Sequence, residues 1–486
     1  MDEPRGHVSF RDPENFACEI GGRWFRIAGP ASAEALRTLR TSVVYERLTG
    51  EGKLIGFDEV DAATAREVHE ALRTNSTHRT IEDPVVFEVE TVATVTYPWE
   101  WPNGVLAAAG LLTVEIREAL LDIGLDLKDA SAFNVQFRGS TPVFIDLGSV
   151  EPWRPNPSWN ASRQFIEHFI NPLAVGYAET VSAADAWKLS RERGVRSSVA
   201  RSLMPRKLKR RAGLAVLQAS TRPVARNKPS EVKFEEQASE DSALALRATR
   251  SLTNRLRKNV QRLTGGVHST TWSDYGSRDH YSADDLDRKA EASRAFVEAC
   301  QVGSGGLVLD IGGNDGFTAQ AIAAGSQDLE VVVLDPDAGA LDRLSGRLAG
   351  SQAAGRIMAL VGDLTNLTPA SGLLDTEFLA FTDRIRPSAV LCQAVLHHVV
   401  ITQGVPLPLA VAALARFAAP IQIEFADVDD EKVRLLIGQI PNWQGDYSQR
   451  TLVDSLHDHY EQVSVVGHTS ATRVVIEAFH PRGVDR

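Results

Sequence analysis

The chain of 486 residues has few cysteines and no long apolar run. Its three cysteines, Cys18, Cys300 and Cys392, are odd in number and far apart, which excludes a disulfide framework and a cysteine-rich zinc site. The apolar stretches 104–121 and 405–420 are interrupted by charge, proline or glycine, so they predict buried helices and no membrane span. The N-terminus lacks a basic segment followed by an apolar one. We therefore expect a cytoplasmic protein in a reducing compartment.

Basic residues do not predominate either. The net charge of -11 argues against general nucleic-acid binding. Two local exceptions are segment 201–211, in which six residues are basic, and the basic amphipathic stretch 245–263. Such segments are usually solvated faces, and the alternative is a surface for an acidic partner such as a phosphorylated carrier, nucleic acid or a membrane surface. The length itself predicts at least two domains.

The first 220 residues contain short strand-like runs followed by helical patterns. The runs RWFRIAG, SVVYERL, KLIGF and VVFEVETVATVTY, within residues 16–97, predict a small β-rich lobe. Residues 105–124 have helical apolar spacing that ends at Gly124, which predicts a long buried helix. A loop and a short hairpin ending at Asp146 come next, and the pattern from 160 to 220 is helical.

Residues 221–242 are polar and of mixed charge, which is typical of an interdomain linker. We divide the chain into a first domain over 1–220, a linker with a basic helix over 221–265, and a second domain over 266–486. From about residue 288 strands and helices alternate to the end. This alternation predicts a doubly wound α/β sheet of the Rossmann-like class.

The clearest motif is a glycine-rich turn between a strand and a helix. The sequence LVLDI at 307–311 is followed by Gly312-Gly313-Asn314-Asp315-Gly316 and by a helix from Phe317. Glycines are needed where the chain reverses tightly and its backbone approaches a ligand. The same kind of turn occurs in nicotinamide and flavin enzymes and in many purely structural turns, so the turn alone leaves the cofactor open.

Polar groups follow the later strands at the edge where open α/β sheets bind ligands. Asp335 ends the strand EVVVLD about 20 residues after the glycine turn, where an acid accepts hydrogen bonds from ribose hydroxyls. Asp363 follows the next short strand. The segment 393–398 ends the fourth strand, and Glu424 and Asp427 end the fifth.

This order resembles class I S-adenosylmethionine-dependent methyltransferases, whose signature turn reads acid, apolar, glycine, any, glycine, any, glycine. Asp310, Gly312 and Gly316 keep that pattern, and Asn314 stands where the middle glycine is usual. A narrower resemblance, to nodulation-protein-related methyltransferases, covers roughly residues 268–480. It is carried by the turn Gly-Asn-Asp-Gly-Phe, by Leu396-His397-His398, by Ile423-Glu424-Phe425, and by Trp272, Tyr275 and Tyr281.

The resemblance implies S-adenosylmethionine as the cofactor, with Asp335 on the ribose and Asp363 near the adenine. An acid at the ribose position, in place of arginine, disfavours nicotinamide phosphate. The implied cofactor-binding residues are Asp310, Gly312, Gly313, Asn314, Gly316, Asp335, Asp363 and Gln393.

His397 or His398 is the candidate catalytic base, because imidazole has a pKa near the working pH and the pair lies at the correct edge of the sheet. Glu424 is a third catalytic candidate. All three have a structural alternative, in which they satisfy backbone groups or pack beneath the cofactor. Their spacing matches no known zinc pattern, so no metal is assigned.

The first half carries a second constellation, Asp129, Asn134 and Asp146, around the loop and hairpin. Kinase chemistry uses an Asp toward the substrate hydroxyl and an Asn and a second Asp for magnesium in this layout. The first half therefore resembles a protein-kinase-like or aminoglycoside-phosphotransferase-like α+β fold. Leu127 and Lys128 replace the usual His-Arg or His-Gly pair, no glycine-rich phosphate loop is present, and Lys53 is only a candidate for the strand lysine.

Three functional hypotheses follow. The leading one is methyl transfer to an oxygen of a small molecule, glycan or natural product, with a kinase-like half that recognises the acceptor. The second is a bifunctional enzyme that also phosphorylates with ATP and magnesium. The third is a scaffold, binding nucleotide without catalysis; the intact acids of the second half weigh against it. The acceptor and the oligomeric state stay open.

Overall fold

The structure is a computed structural model that describes residue 12 and residues 15–73, 81–155, 159–178, 181–204, 238–264 and 282–483. Trp272, Tyr275, Tyr281 and the polar part of the predicted linker before residue 238 lie outside the described residues. None of the helices in the described ranges combines the length and the apolar composition needed to cross a bilayer.

The chain begins with a four-stranded antiparallel sheet in the order β1-β2-β4-β3. Its elements are β1 (Asn15–Ile20), β2 (Arg23–Ala28), α1 (Pro30–Arg40), α2 (Val43–Gly50), β3 (Phe57–Glu59), α3 (Ala62–Arg73) and β4 (Val85–Val89). Three of the strand-like runs thus contribute strands, although only part of the long run after residue 85 is extended.

The expectation of a strand at SVVYERL was wrong, because this run forms helix α2. Ser42 is the N-cap, and its hydroxyl accepts the backbone N–H of Tyr45 at 3.2 Å. The cap satisfies a backbone donor that a helix start otherwise leaves unpaired, and Val44, Tyr45 and Leu48 are buried on one face. Helical capping and packing therefore outweigh the β-propensity of the two valines and the tyrosine.

The long buried helix was predicted correctly. Helix α4 (Asn103–Leu121) is followed by Gly124, whose φ of +76° is the left-handed conformation that favours glycine. The chain then forms β5 (Leu125–Leu127), β6 (Val135–Arg138), β7 (Thr141–Phe144) and β8 (Val150–Pro152). Strands β6 and β7 are the predicted hairpin, and β5 pairs with β8.

Helices complete the first half. They are α5 (Ser162–Phe165), a π-helical turn at Ile166–Ile170, α6 (Asn171–Tyr177), α7 (Ala183–Lys188), α8 (Ser197–Leu203) and α9 (Ala238–Leu263). Helix α9 contains the predicted basic stretch and packs along α4, where Arg257 pairs with Glu118 and Arg250 pairs with Asp122 at 2.7 Å. The acidic face of α4 therefore neutralises part of this basic helix.

The second half is the predicted doubly wound sheet. Its strands are β9 (Leu307–Ile311), β10 (Glu330–Asp335), β11 (Ile357–Val361), β12 (Ala389–Gln393), β13 (Ile421–Ala426), β14 (Tyr460–Ser470) and β15 (Arg473–Pro481). Their order is β11-β10-β9-β12-β13-β15-β14, in which the first five strands are parallel to one another and β15 is antiparallel to both of its neighbours, β13 and β14.

The helices of this half are α10 (Ala283–Ala299), α11 (Phe317–Gly325), α12 (Ala338–Leu348), α13 (Phe381–Arg384), α14 (Leu407–Ala415), α15 (Glu431–Gly438) and α16 (Gln449–His459). The strand order reverses between β9 and β12, because β10 and β11 lie on one side of β9 and β12 and β13 lie on the other. Such a switch point opens a crevice at the carboxyl ends of the strands.

The two halves share one hydrophobic core and are joined by specific polar contacts. Glu100 and Arg384 form a buried ion pair across the boundary. The backbone N–H of Gly104, in the first turn of α4, donates to the carboxylate of Asp342 on α12 at 2.8 Å. Helix α4 of the first half is thereby held beside the crevice of the second.

Candidate active site

A cavity of about 790 Å³ lies at the carboxyl ends of β9, β10, β11 and β12. This is the size range of small-molecule sites. It is lined by the glycine turn after β9, by residues 334–339 at the end of β10, by residues 362–364 after β11, and by residues 393–395 and 397–399 at the end of β12. The crevice predicted from the sequence is therefore present. Asp335, Asp363 and Gln393 line it together with Asp310, whereas Glu424 and Asp427, predicted at the end of the fifth strand, are not among the lining residues.

The glycine turn has backbone geometry that only glycine meets easily. Gly312 has φ of +71°, and a Cβ there would lie 2.2 Å from Val395 Cγ2. At Gly313 a Cβ would lie 2.6 Å from Asp310 Oδ2. Asn314, which replaces the usual middle glycine, also has a positive φ of +48°, a conformation that Asn tolerates better than most residues. The departure from the common motif is thus accommodated by the backbone.

Asp310 is the most deeply buried acid of the cavity. Its side-chain oxygen Oδ2 has no hydrogen-bond partner, although the residue is only 1 % exposed. Burial raises the pKa of this carboxyl to about 7. A buried acceptor without a partner is rare in folded proteins and marks a place where a donor from a ligand, or a proton, is expected.

Asp335 connects the ends of two neighbouring strands. Its two carboxylate oxygens accept the backbone N–H groups of Asn314 and Asp337, both at 2.8 Å. Burial raises its pKa to about 6, against the lowering effect of these two hydrogen bonds. Asp335 therefore fixes the glycine turn and also lines the cavity, and its contact with the ribose stays a prediction.

Asp363 and Gln403 line the cavity beyond the end of β11. The carboxylate of Asp363 accepts the Thr365 backbone N–H at 2.9 Å and the Gln403 side-chain amide at 3.0 Å. Gln393 also lines the cavity, but its amide is engaged by Thr318 at 2.9 Å and by Ser293 at 2.6 Å. The roles of Asp363 and Gln393 in cofactor binding stay predictions.

The two histidines lie side by side on the cavity wall, with ring centroids 4.2 Å apart. Burial lowers the pKa of His397 to about 3 and that of His398 to about 4. Both imidazoles are therefore neutral near pH 7 and are weak proton acceptors. Catalysis by either histidine stays a prediction. The low pKa values argue against a role as general base.

Glu424 lies behind the cavity and is not among the residues that line it. Its carboxylate accepts the Thr469 hydroxyl and the Lys289 ammonium, the latter at 3.3 Å, and Arg473 approaches to 3.8 Å. Although burial by itself raises it, the two cations hold the pKa of Glu424 below its ordinary value. A direct catalytic role for Glu424 stays a prediction, and its contacts favour positioning of the two cations.

Lys289 and Arg473 line the cavity and were missed by the sequence analysis. Lys289 lies on α10, ahead of the glycine turn and of the strand ends. Arg473 begins β15, and its register partner is Ala426 at the end of β13. Because β15 runs antiparallel, its first residue reaches the same edge as the ends of the parallel strands. Arg473 could have been predicted only by assuming that β15 runs antiparallel to β13, which places the first residue of β15 at the cavity.

The first half also supplies part of the wall, through Asn103, Gly176, Val181, Ser182 and Asp185. Asn103 is buried, and its Oδ1 accepts the backbone N–H of Ala183 at 3.1 Å. A Cβ at Gly176 would lie 2.6 Å from the same oxygen, so this close approach requires glycine. No sequence pattern predicted that the first half reaches the cavity.

The structure brings Asp129, Asn134 and Asp146 together in the first half, outside this cavity. Asn134 donates to Asp129. Burial and the charge of Asp146 raise the pKa of Asp129 to about 6. Arg26 of β2 pairs with Asp146 at 3.2 Å. The kinase-like fold and its phosphotransfer role stay predictions.

The candidate strand lysine was wrong. Lys53 lies after α2, and its ammonium pairs with Glu115 at 2.7 Å and with Glu51 at 2.8 Å. The strand cation beside Asp146 is instead an arginine, which the sequence analysis did not consider. No motif in the sequence marks Arg26, because its pairing with Asp146 depends on how the strands pack and not on their distance in the chain.

Comparison with curated proteins finds a relative for nearly the whole chain. The nodulation protein NoeA of Rhizobium meliloti (strain 1021) is 28 % identical over 465 residues, which are 92 % of this chain and 90 % of that protein. The similarity therefore extends through the first half, beyond the 268–480 segment that carried the resemblance in the sequence. No protein-family model matches the chain.

Three solved structures are similar over less than half of the chain. Magnesium protoporphyrin IX methyltransferase from Synechocystis PCC 6803, with bound S-adenosylmethionine, is 18 % identical over 46 % of this chain and 89 % of its own, with a TM-score of 0.29. The N-terminal domain of EvdMO1 with S-adenosylhomocysteine and D-fucose is 18 % identical over 41 % and 84 %, with a TM-score of 0.28. The bifunctional kinase-methyltransferase WbdD is 17 % identical over 40 % and 39 %, with a TM-score of 0.29.

Proposed function

We propose that the protein is an S-adenosylmethionine-dependent methyltransferase whose cofactor lies along the glycine turn after β9. The observation that carries this proposal is the buried, unpartnered Oδ2 of Asp310 next to a turn at which a Cβ on Gly313 would fill the adjoining space. A nearby acid at Asp335 lines the same cavity. The cofactor's ammonium requires an acceptor oxygen, and its ribose hydroxyls require an acid close to the backbone of the turn.

The residues of this side of the cavity fit the cofactor in charge as well as in position. The acids that line it are Asp310, Asp315, Asp335, Asp337 and Asp363. Bound S-adenosylmethionine supplies a methyl group on a positively charged sulfonium, and nearby carboxylates stabilise such a cation. The chain's own contribution is to hold the acceptor in line with the methyl group and to exclude water.

The acceptor site is proposed over the ends of β12 and β13, where His397, His398, Lys289 and Arg473 line the cavity. An oxygen of a small molecule, glycan or natural product is the proposed acceptor, because the cavity is concave and of small-molecule size. The similarity to a nodulation protein through both halves supports a function that needs the whole chain.

The test is calorimetric titration of the full chain with S-adenosylmethionine and with S-adenosylhomocysteine. We expect micromolar binding that Asp335→Ala weakens by about a hundredfold, roughly 2.7 kcal/mol. Asp328→Ala is the matched control, because Asp328 is exposed just before the opposite end of the same strand. Thermal unfolding of each variant separates loss of the site from loss of the fold, since Asp335 also holds the glycine turn.

Absence of binding to the wild-type chain would overturn the proposed function. Binding that is the same in wild type, Asp335→Ala and Asp328→Ala would place the cofactor elsewhere.

A bifunctional enzyme is the second candidate, supported by the convergence of Asp129, Asn134 and Asp146. Magnesium-dependent ATP turnover distinguishes it from a methyltransferase alone.

A further inference from the structure

Helix α4 of the first half begins at the wall of the cavity. Its first residue, Asn103, lines the cavity and is only 6 % exposed. The next residue, Gly104, donates its backbone N–H to the carboxylate of Asp342 on α12 at 2.8 Å. Helix α12 begins at Ala338, directly after the turn that follows Asp335. The start of α4 therefore lies against the helix that follows the predicted ribose acid.

A series of short contacts connects Asp335 with this part of α12. Asp335 accepts the backbone N–H of Asp337 at 2.8 Å, and Asp337 accepts the backbone N–H of Gly339 at 2.8 Å. Burial, and in smaller part the charge of Asp337, raises the pKa of Asp342 to about 7, so these two acids lie close together. Asn103 is the chain neighbour of the residue that contacts Asp342, which places it on the ribose side of the cavity.

The amide of Asn103 has a defined orientation. Its Oδ1 accepts the backbone N–H of Ala183, the first residue of α7, at 3.1 Å. An N–H cannot donate to an amide NH2, so this bond identifies the oxygen end of the side chain. Among the described residues the structure gives Nδ2 no acceptor. A buried donor without a partner at a cavity wall marks a place where an acceptor from a ligand is expected.

The other polar side chains that the first half brings to the cavity are already paired. The hydroxyl of Ser182 donates to Asp185 Oδ2 at 2.8 Å and accepts the backbone N–H of Asp185 at 3.0 Å. Asp185 also pairs with Lys188 at 3.0 Å. The two remaining residues that the first half contributes, a glycine and a valine, have no polar side chain. Asn103 is therefore the residue of the described first half that offers a donor to a ligand in this cavity.

The nucleoside side of the cavity has several acids, and these acids occupy nearby donors. Asp335 accepts the backbone N–H groups of Asn314 and Asp337, and Asp363 accepts the side-chain amide of Gln403 at 3.0 Å. A ribose hydroxyl is both a donor and an acceptor. When such a hydroxyl donates to Asp335, its oxygen keeps lone pairs that are satisfied by a donor from elsewhere. The amide nitrogen of Asn103 is such a donor.

We propose that Asn103 binds the cofactor by donating a hydrogen bond from Nδ2 to a ribose hydroxyl oxygen, so that the first half completes the nucleoside site of the second. This inference rests on the proposed methyltransferase function. It makes the affinity for the cofactor depend on how the two halves are joined, because the contact between Gly104 and Asp342 fixes the start of α4 at the cavity.

The experiment measures whether Asn103 and the ribose hydroxyls act on the same hydrogen bond. The affinities of the full chain for adenosine, 2′-deoxyadenosine and 3′-deoxyadenosine are determined by calorimetric displacement of S-adenosylhomocysteine. We expect Asn103→Ala to weaken adenosine binding about tenfold. The same substitution should weaken at least one of the two deoxynucleosides by less than about twofold, because the bond is already absent from that complex.

Two further variants control for effects on the fold. Asn254→Ala replaces an exposed asparagine of α9 outside the cavity and should change none of the affinities. Gly176→Ala keeps the amide of Asn103 but places a Cβ 2.6 Å from its Oδ1 and 3.0 Å from its Nδ2, so the amide must move. This variant should also weaken adenosine more than the same deoxynucleoside. It decides the question if urea unfolding shows that Asn103→Ala does not fold.

Equal losses for all three nucleosides would mean that Asn103 only supports the wall through Ala183, and the inference would be wrong. Unchanged affinities in Asn103→Ala would overturn it as well. In both cases normal binding of S-adenosylhomocysteine to the wild type leaves the proposed function standing. If the wild type does not bind S-adenosylhomocysteine, the proposed function and this inference fall together.

Discussion

The ion pair between Glu100 and Arg384 should be the strongest single polar contact between the two halves. Each side chain is only 2 % exposed. Arg384 also donates to the backbone carbonyl of Val95 at 2.7 Å. Glu100 accepts the Thr368 hydroxyl at 2.6 Å and the backbone N–H of Tyr97 at 3.0 Å. Both charges are therefore desolvated and paired, although the buried Nε of Arg384 has no hydrogen-bond partner.

Glu100→Gln keeps the shape of the side chain but leaves the guanidinium of Arg384 buried without its counter-charge. Breaking a buried pair in this way costs about 3–5 kcal/mol of unfolding free energy. Glu59→Gln is the control, because Glu59 pairs with Arg37 at 2.7 Å but the two side chains are 41 % and 46 % exposed. An exposed pair contributes about 0–1 kcal/mol, so the control should change little.

The assay is urea unfolding followed by tryptophan fluorescence and circular dichroism. Because one hydrophobic core extends through both halves, we expect the two signals to coincide in the wild type. The double variant Glu100→Gln with Arg384→Met removes both charges and should lose less than the sum of the single variants. If Glu100→Gln destabilises the chain no more than Glu59→Gln does, the argument from burial is refuted.

Three other predictions test the site and its surroundings. Gly313→Ala adds a methyl group 2.6 Å from the buried carboxylate beneath the turn and should weaken S-adenosylmethionine binding about tenfold in calorimetry, whereas Gly303→Ala, with no atom within 4 Å, should not. Burial raises the pKa of Asp342 from 3.8 to about 7, so the native state retains a proton that the unfolded chain loses. Its stabilising contribution is full below about pH 4 and is lost as the pH rises to about 7, with a slope of up to about 1.4 kcal/mol per pH unit, and Asp342→Asn should flatten the wild-type dependence of urea midpoints on pH. Because an arginine already pairs with Asp146, we expect no magnesium-dependent ATP turnover; turnover that Asp129→Asn abolishes would contradict this.

Local patterns were sufficient for much of the fold. The strand at 307–311, the turn with its three glycines and the helix from Phe317 follow from apolar runs and backbone freedom, which are properties of adjacent residues. The same is true of the long helix that ends before Gly124. The strand predicted for SVVYERL was wrong, because the cap at Ser42 and one buried helical face outweigh the strand propensity of this run. Burial of that face depends on the residues that pack against it.

The strand ends were enough to predict that Asp310, Asp335 and Asp363 line one cavity, because parallel strands in a doubly wound sheet end at one edge. Other residues of the cavity wall become visible only in the folded chain. Lys289, Arg473 and Asn103 reach the cavity from α10, from the antiparallel strand β15 and from the first half of the chain, and such long-range placement leaves no periodic or spaced pattern in the sequence. Burial, which sets whether His397 and Glu424 are charged and whether they face the cavity, is likewise a property of the packed molecule and not of the residue type.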